Sequence, residues 1–228
     1  MVHPLLPFSL RGVVWYQGEA NTNRAEQYDA LLPAMIATWR EAFGQGDLPF
    51  LVVQLPNFMP ATDDPNKPSG WARLRESQRL AASSTPNVGL AVTIDLGDPN
   101  DLHPRNKQDV GKRLTQLALG TVYRVTDIVA RGPVVAKAVF AGDTVMLTLD
   151  AGGTDVRVKG DLKQSFAVAG ADGTWHWADA SLTGSTVTVR SADVKEVKAL
   201  RYAWADNPKA AVVNDQGIPA SPFEIRKP

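Results

Sequence analysis

The strongest constraint on this chain is a change of rhythm near Asp127. Before it, apolar runs alternate with helix-length amphipathic stretches; after it come short segments rich in Val and Thr. Gly12-Val13-Val14-Trp15-Tyr16 is a β-favouring run that ends at Gln17-Gly18, as expected of a strand buried in a parallel sheet. From Arg24 to Phe43, Tyr28, Leu31, Leu32, Met35, Ile36, Trp39 and Phe43 recur at helical spacing. Thr22 or Asn23 is available as N-cap, and Gly44 stands just past the end. Pro33 inside that stretch predicts a kink or a helix restart. Phe50 to Leu55, bounded by Pro49 and Pro56, reads as a second strand and Val88 to Ile94 as a third. The proline-rich segment 57–70 is a loop long enough to form a rim or lid. Helices are expected over Trp71 to Ala82 and Asn106 to Val122, the second entered through a loop from Asp95 to Arg105. Three strand-then-helix units in succession predict a parallel sheet covered by helices.

Past Asp127 the segments 134–140, 144–149, 155–158, 166–168, 186–189 and 197–204 are separated by Gly, Asp or Asn turns. Gly142-Asp143, Ala171-Asp172-Gly173 and Thr183-Gly184-Ser185 have the composition of hairpin turns. This half is expected to be a smaller antiparallel β domain, which divides the chain into 1–126 and 127–228.

Composition narrows the partners. The 228 residues carry 24 Lys+Arg against 24 Asp+Glu and no Cys. A neutral balance without a basic run argues against nucleic acid or an anionic membrane as partner. No run approaches the roughly 18 apolar residues of a membrane span, and the opening MVHPLLPFSL lacks a basic segment followed by an apolar one, so no export signal is expected in this stretch. Without Cys, disulfides, thiol catalysis and zinc-thiolate sites drop out together.

Ligands of a parallel α/β sheet bind beyond the carboxyl ends of its strands, which singles out two tips. After the first strand, Gln17, Gly18, Glu19 and Asn21 bring two amides, a carboxylate and an unencumbered backbone N–H, the groups an oxyanion hole needs; the same residues serve equally well as caps of the next helix. After the third strand, Asp95, Asp98, Asp101 and His103 lie within nine residues. An Asp close before a His can orient an imidazole acting as general base, the same set can hold a divalent ion, and an acidic turn before a helix needs no function at all. His3, near the start, has no comparable company, and His176 between Trp175 and Trp177 reads as alternating strand packing. Arg73 and Arg75 read as surface charges, with a clamp for a substrate carboxylate as the alternative.

At these tips the residues form strings. RGVVWYQGEAN, WARLRESQ, DLGDPNDLHPRNKQDVGKRL and LRYAWADNP followed by PASPFEIR run in this order over nearly the whole chain. Together they resemble the sialate O-acetylesterase family, carbohydrate esterases of the SGNH-hydrolase type. The resemblance implies a flavodoxin-like α/β domain with accessory β structure and a serine esterase that removes O-acetyl groups from sugars, without cofactor or metal. It aligns Gln17, Gly18 and Glu19 with the block that stabilises the oxyanion, and His103 with the base. The acid partner departs from the family's Asp-x-x-His: the position three before His103 is Asn100, which leaves Asp101 as the nearest carboxylate and Asp98 as the second candidate.

In the family the nucleophilic Ser lies in an early strand-to-helix turn, upstream of the HPLLPF segment near this chain's start. Ser9 precedes the first strand and Ser77 falls within a helix, so neither has that setting. The expected sheet is therefore incomplete on its N-terminal side, with three strands where a flavodoxin-like domain has about five. The Ser is expected from a preceding segment or a companion chain, and periplasmic or secreted placement would follow from a signal in that missing part. The alternative is a carbohydrate-binding or partner-completing subunit without catalysis of its own.

Overall fold

The computed structural model describes residues 2–228. The first half holds a three-stranded parallel sheet in the order β1 (Val13–Trp15), β2 (Phe50–Val53), β3 (Val88–Ala91). Helix α1 (Tyr28–Phe43) joins β1 to β2 and α2 (Gly70–Ser84) joins β2 to β3. Both lie on one face, where Tyr28, Leu32 and Ile36 of α1 and Trp71 and Leu74 of α2 close over Phe50 and Val52. Helix α3 (Lys107–Thr121) follows β3 and packs on the opposite face through Leu117 against Leu51 and Ala91. α3 covers β2 and β3 but not β1. Val14 therefore stays 59% exposed, and among the described residues no strand pairs with the outer edge of β1.

Three details differ from the sequence expectation. The stretch Glu19–Gln27 is 3-10 rather than α-helical, broken at Arg24 (φ −139, ψ 42), so the restart falls at Tyr28 and Pro33 sits inside a continuous α1. Neither Thr22 nor Asn23 caps α1; the Thr22 hydroxyl donates to the Glu19 carbonyl at 2.9 Å. The third strand stops at Ala91 because Val92 and Ile94 leave the sheet to enter the other core.

The second half is a sandwich of two four-stranded antiparallel sheets. One is ordered β4 (Val134–Ala141), β5 (Thr144–Asp150), β10 (Thr186–Arg190), β9 (Asp179–Thr183); the other β13 (Phe223–Arg226), β11 (Ala199–Tyr202), β7 (Phe166–Ala169), β8 (Trp175–Trp177). A short pair, β6 (Val156–Val158) and β12 (Val212–Asn214), flanks them. Alternation along β5 and β10 sends Val145, Leu147, Leu149, Val187 and Val189 inward, against Val168, Leu200, Tyr202 and Phe223 of the facing sheet. All three expected turns close hairpins: β4 to β5, β7 to β8 and β9 to β10.

Arg75 fastens the two halves. It is fully buried and donates to four backbone carbonyls: Leu55 (2.8 Å) and Pro56 (2.6 Å) after β2, and Ala205 (2.7 Å) and Asp206 (2.8 Å) after β11. Burial pulls the guanidinium down to about 9, still high enough to keep it charged at neutral pH. Beside it Gln54 donates to the Ser221 hydroxyl at 2.7 Å. The carboxylate-clamp alternative fails for Arg75 because its N–H groups are spent inside the fold. Arg73 in turn is held by the carboxylate of Asp29 and by Ser77.

Candidate active site

Because the sheet is parallel, the tips after β1 and β3 emerge on the same edge. The first tip is built by close packing. Gly18 is buried with φ 155, and a Cβ there would stand 2.5 Å from Leu74 Cδ2 and 3.4 Å from Gln78 Nε2, so only glycine fits. Gln78 knits this tip to the next strand: its Nε2 donates to the carbonyls of Gln17 (3.2 Å) and Val53 (3.3 Å), and its Oε1 accepts from the Leu55 N–H (3.0 Å).

The Gln17 side chain is held at both ends. The Tyr28 hydroxyl donates to Gln17 Oε1 at 2.9 Å and itself accepts from Trp15 Nε1 at 3.2 Å, while Gln17 Nε2 donates to Asn21 Oδ1 at 2.8 Å. With its oxygen so engaged, the Asn21 amide keeps its N–H2 group for another partner, and among the described residues that group and the Gly18 N–H have no acceptor. Two preset donors at a strand end are what stabilisation of a developing oxyanion requires. Glu19 stands in the first 3-10 turn; burial, with the Glu19 charge second, pushes the Tyr16 hydroxyl up to about 12.

His103 lies in the loop between β3 and α3, with an exposed side chain. Asp101 Oδ1 accepts from the His103 backbone N–H at 2.8 Å, and Asp98 Oδ1 likewise takes the Asn100 N–H at 2.8 Å, so both carboxylates stabilise turns of the loop. No hydrogen bond joins either to the imidazole among the described residues. Asp95 is committed to Arg113, with contacts of 2.5 and 2.8 Å, and does not converge with Asp98, Asp101 and His103 on a common point.

The His103 loop is clasped by its surroundings. Asn57, just past β2, accepts the Gly97 N–H at 2.7 Å and donates to Asn207 Oδ1 at 2.9 Å. A Cβ on residue 97 would lie 1.8 Å from the Asn57 carbonyl oxygen, which leaves glycine as the residue that lets the two loops touch. Lys107, at the start of α3, sits 5.0 Å from the centre of the Tyr16 ring, and Leu102 packs on the cluster that holds Leu55 and Leu74. Tyr16, Tyr28, Asn57, Gln78 and Lys107 were not singled out from the sequence. A strand-end position was the available signal for Asn57; the others are visible only once the elements pack.

The remaining candidates lie elsewhere. Ser77 is fully buried and bonds the Ala25 carbonyl at 3.1 Å, and Ser9 is exposed ahead of β1. His3 belongs to a short 3-10 turn near the start. In β8 Trp175 is buried among Ala167, Ala169 and Ala199 and Trp177 packs on the same cluster, while His176 between them is half-exposed, which is the alternating packing expected there.

Residues 3–119 match the family model described as carbohydrate esterase, sialic acid-specific acetylesterase. Sialate O-acetylesterase of Rattus norvegicus is 32% identical over 99% of this chain and 46% of its own length; the Homo sapiens protein of the same name is 32% identical over 91% and 43%. The crystal structure of a carbohydrate acetylesterase from Xanthomonas citri superposes with a TM-score of 0.91 at 42% identity, over 100% of this chain and 53% of that one. The chain thus spans about half the length of the relatives it matches. With a family model matched over half of its length and relatives 32% identical over nearly all of it, this chain belongs to the family of carbohydrate esterases described as sialic acid-specific acetylesterases.

Proposed function

We propose that the chain forms the base-bearing part of a carbohydrate O-acetyl esterase, a carboxylic ester hydrolase of the serine type. Its β1 to β3 represent part of a flavodoxin-like sheet of the SGNH kind, residues 1–126 forming that partial domain and 127–228 an accessory one. The Gln17–Asn21 hydrogen bond carries this assignment: it holds the Asn21 amide in the turn that starts at Gly18, at the carboxyl end of a parallel strand, where the Asn21 N–H2 and the Gly18 N–H both lack an acceptor.

In this mechanism a Ser hydroxyl attacks the acetyl carbonyl, and His103 takes the proton and returns it to the departing sugar oxygen. The Gly18 N–H and the Asn21 amide meet the charge that develops on the carbonyl oxygen, with Glu19 and Gln17 fixing the turn. Water, activated by the same imidazole, then releases acetate. Asp101 is assigned as orienting acid. One of its oxygens holds the His103 N–H, and a carboxylate retains capacity to accept from the imidazole as well. Asp98 is the second candidate.

The Ser is proposed to come from a strand-to-helix turn seated against the uncovered edge of β1, supplied by a preceding segment or a companion chain. Exposure of Val14 and the free edge support that position. The test is complementation: the chain is mixed with the separately produced N-terminal half of a relative, and hydrolysis of 4-nitrophenyl acetate and of an O-acetylated sugar is followed. Turnover is expected from the mixture and lost with His103→Ala or Val14→Lys in this chain. Turnover that persists in His103→Ala would remove the proposed base.

A further inference from the structure

The loop that carries His103 is joined to both halves of the molecule by a circuit of hydrogen bonds that runs through two asparagines. Asn57 Oδ1 accepts the Gly97 N–H at 2.7 Å, and Asn57 Nδ2 donates to Asn207 Oδ1 at 2.9 Å. Asn207 Nδ2 donates in turn to the Met59 carbonyl at 2.9 Å, and the Met59 N–H closes the circuit on the Pro99 carbonyl at 3.1 Å. The groups at the two ends dictate how both amides point. A backbone N–H can only donate and a carbonyl can only accept, so Asn57 turns its oxygen to Gly97 and Asn207 its nitrogen to Met59. Between them a nitrogen then meets an oxygen, and neither amide can flip without setting like against like.

The circuit is braced from outside. Met59 holds a left-handed backbone conformation (φ 69), uncommon away from glycine, and both its N–H and its carbonyl are bound within the circuit. Beside it the Phe58 N–H donates to the Asp206 carbonyl at 3.2 Å, and the Phe58 ring lies 5.2 Å from that of Trp71. Asn207 follows the Ala205 and Asp206 carbonyls that Arg75 holds. From Pro99 to the imidazole the chain has little slack. The Asp101 N–H donates to the Asp98 carbonyl at 3.3 Å, Asp101 Oδ1 takes the His103 N–H, and Pro104 is buried directly after it.

We propose that Asn57 of the α/β half and Asn207 of the sandwich are positioning residues for His103. The amide pair sets where the 97–99 stretch stands, and the turns that follow carry that setting to the imidazole. One side chain of the second half thereby bears on the reacting geometry. The catalytic part of this proposal rests on His103 being the base; the part that concerns the loop does not.

The loop is read in the chain alone, without catalysis. Exchange of the Gly97 amide hydrogen, followed by heteronuclear NMR, is expected to be about tenfold faster in Asn207→Ala, although Asn207 does not bond Gly97. The control is Asn214→Ala, which removes a buried sandwich amide that accepts from Gln216 and Ile218, and it is expected to leave Gly97 at the parent rate. An unchanged rate in Asn207→Ala, or an equal rise in Asn214→Ala, would overturn the proposal. In the complemented enzyme, Asn207→Ala and Asn57→Asp are expected to lower kcat for 4-nitrophenyl acetate about ten- to hundredfold with KM little changed, and Asn214→Ala to alter neither. Asn57→Asp keeps the size of the side chain and an acceptor for Gly97 but sets oxygen against oxygen at Asn207. Parent kcat in both variants would overturn the positioning role. Turnover that survives His103→Ala would remove the base and the catalytic part with it, while Gly97 exchange still decides the loop.

Discussion

Gly18 lies against Leu74 with no room for a methyl group: a Cβ at residue 18 would stand 2.5 Å from the leucine Cδ2. Gly18→Ala is therefore expected to cost about 1–3 kcal/mol through overpacking, with backbone strain at φ 155 added. Urea unfolding of the single variant and of Gly18→Ala/Leu74→Ala checks this. A double variant that loses less than the sum of the two single costs locates the clash at this pair.

Asn21 and His103 are expected to separate donor from base. In the complemented enzyme, Asn21→Ala should lower kcat by about 10²–10³ with little change in KM, the usual cost of one oxyanion donor. His103→Ala should reduce it at least as far. Between the two carboxylates, Asp101→Asn should lower kcat more than Asp98→Asn. The reverse order, measured with an aryl acetate, would transfer the orienting role to Asp98.

Arg75→Ala removes a donor from four carbonyls, two on each half of the molecule; Leu55 and Ala205 are left without one, while Pro56 keeps the Trp71 indole N–H and Asp206 the Phe58 N–H. The expected loss is about 3 kcal/mol or more, and because the deleted group spans both cores, heat unfolding should broaden or split into two transitions. Differential scanning calorimetry distinguishes that from a uniform shift.

Asp29 gives a pH signature. Burial pushes its carboxyl up, but the hydrogen bonds from Arg73 and Ser77 outweigh this and hold it below the ordinary 3.8. A carboxyl depressed in the folded state stabilises the fold above its unfolded pKa, and that contribution is lost as pH falls below about 4. Asp29→Asn should melt lower than the parent at about pH 7, and the two melting curves should converge toward about pH 2. Because the pair is partly exposed, the difference is modest and shrinks with added salt.

What could be read from the sequence was what local pattern determines. The strand runs before Gln17, Pro56 and Asp95, the helix that ends at Gly44 and the three hairpin turns each carry their signal within a few residues. The 3-10 stretch after Gly18 does not, since its polar run EANTNRAEQ serves a helix or a turn equally well until Gly70 presses on Thr22. Strands β9, β12 and β13 were missed because three to five residues such as Val212–Asn214 acquire strand geometry only from their partners. At the site, the residue types at both tips were legible, but Arg75 looked like a surface charge because two of its four acceptors lie some 130 residues away. The closeness of Asp101 to His103 pointed to an imidazole partner, whereas the shortest path for that carboxylate was to the backbone N–H of the same residue.

Val92 and Ile94 sit between β3 and the His103 loop, yet their side chains are buried among Leu147, Val168 and Tyr202 of the sandwich. The stem of the histidine loop is thus rooted in the second core. A chain trimmed after residue 126 would lose that anchor together with the Asn207 contact that steadies Asn57. Transplanting the α/β portion by itself into another scaffold would leave the His103 loop without that anchor, so any grafted or miniaturised version has to carry the sandwich as the ballast that keeps the proposed base on station.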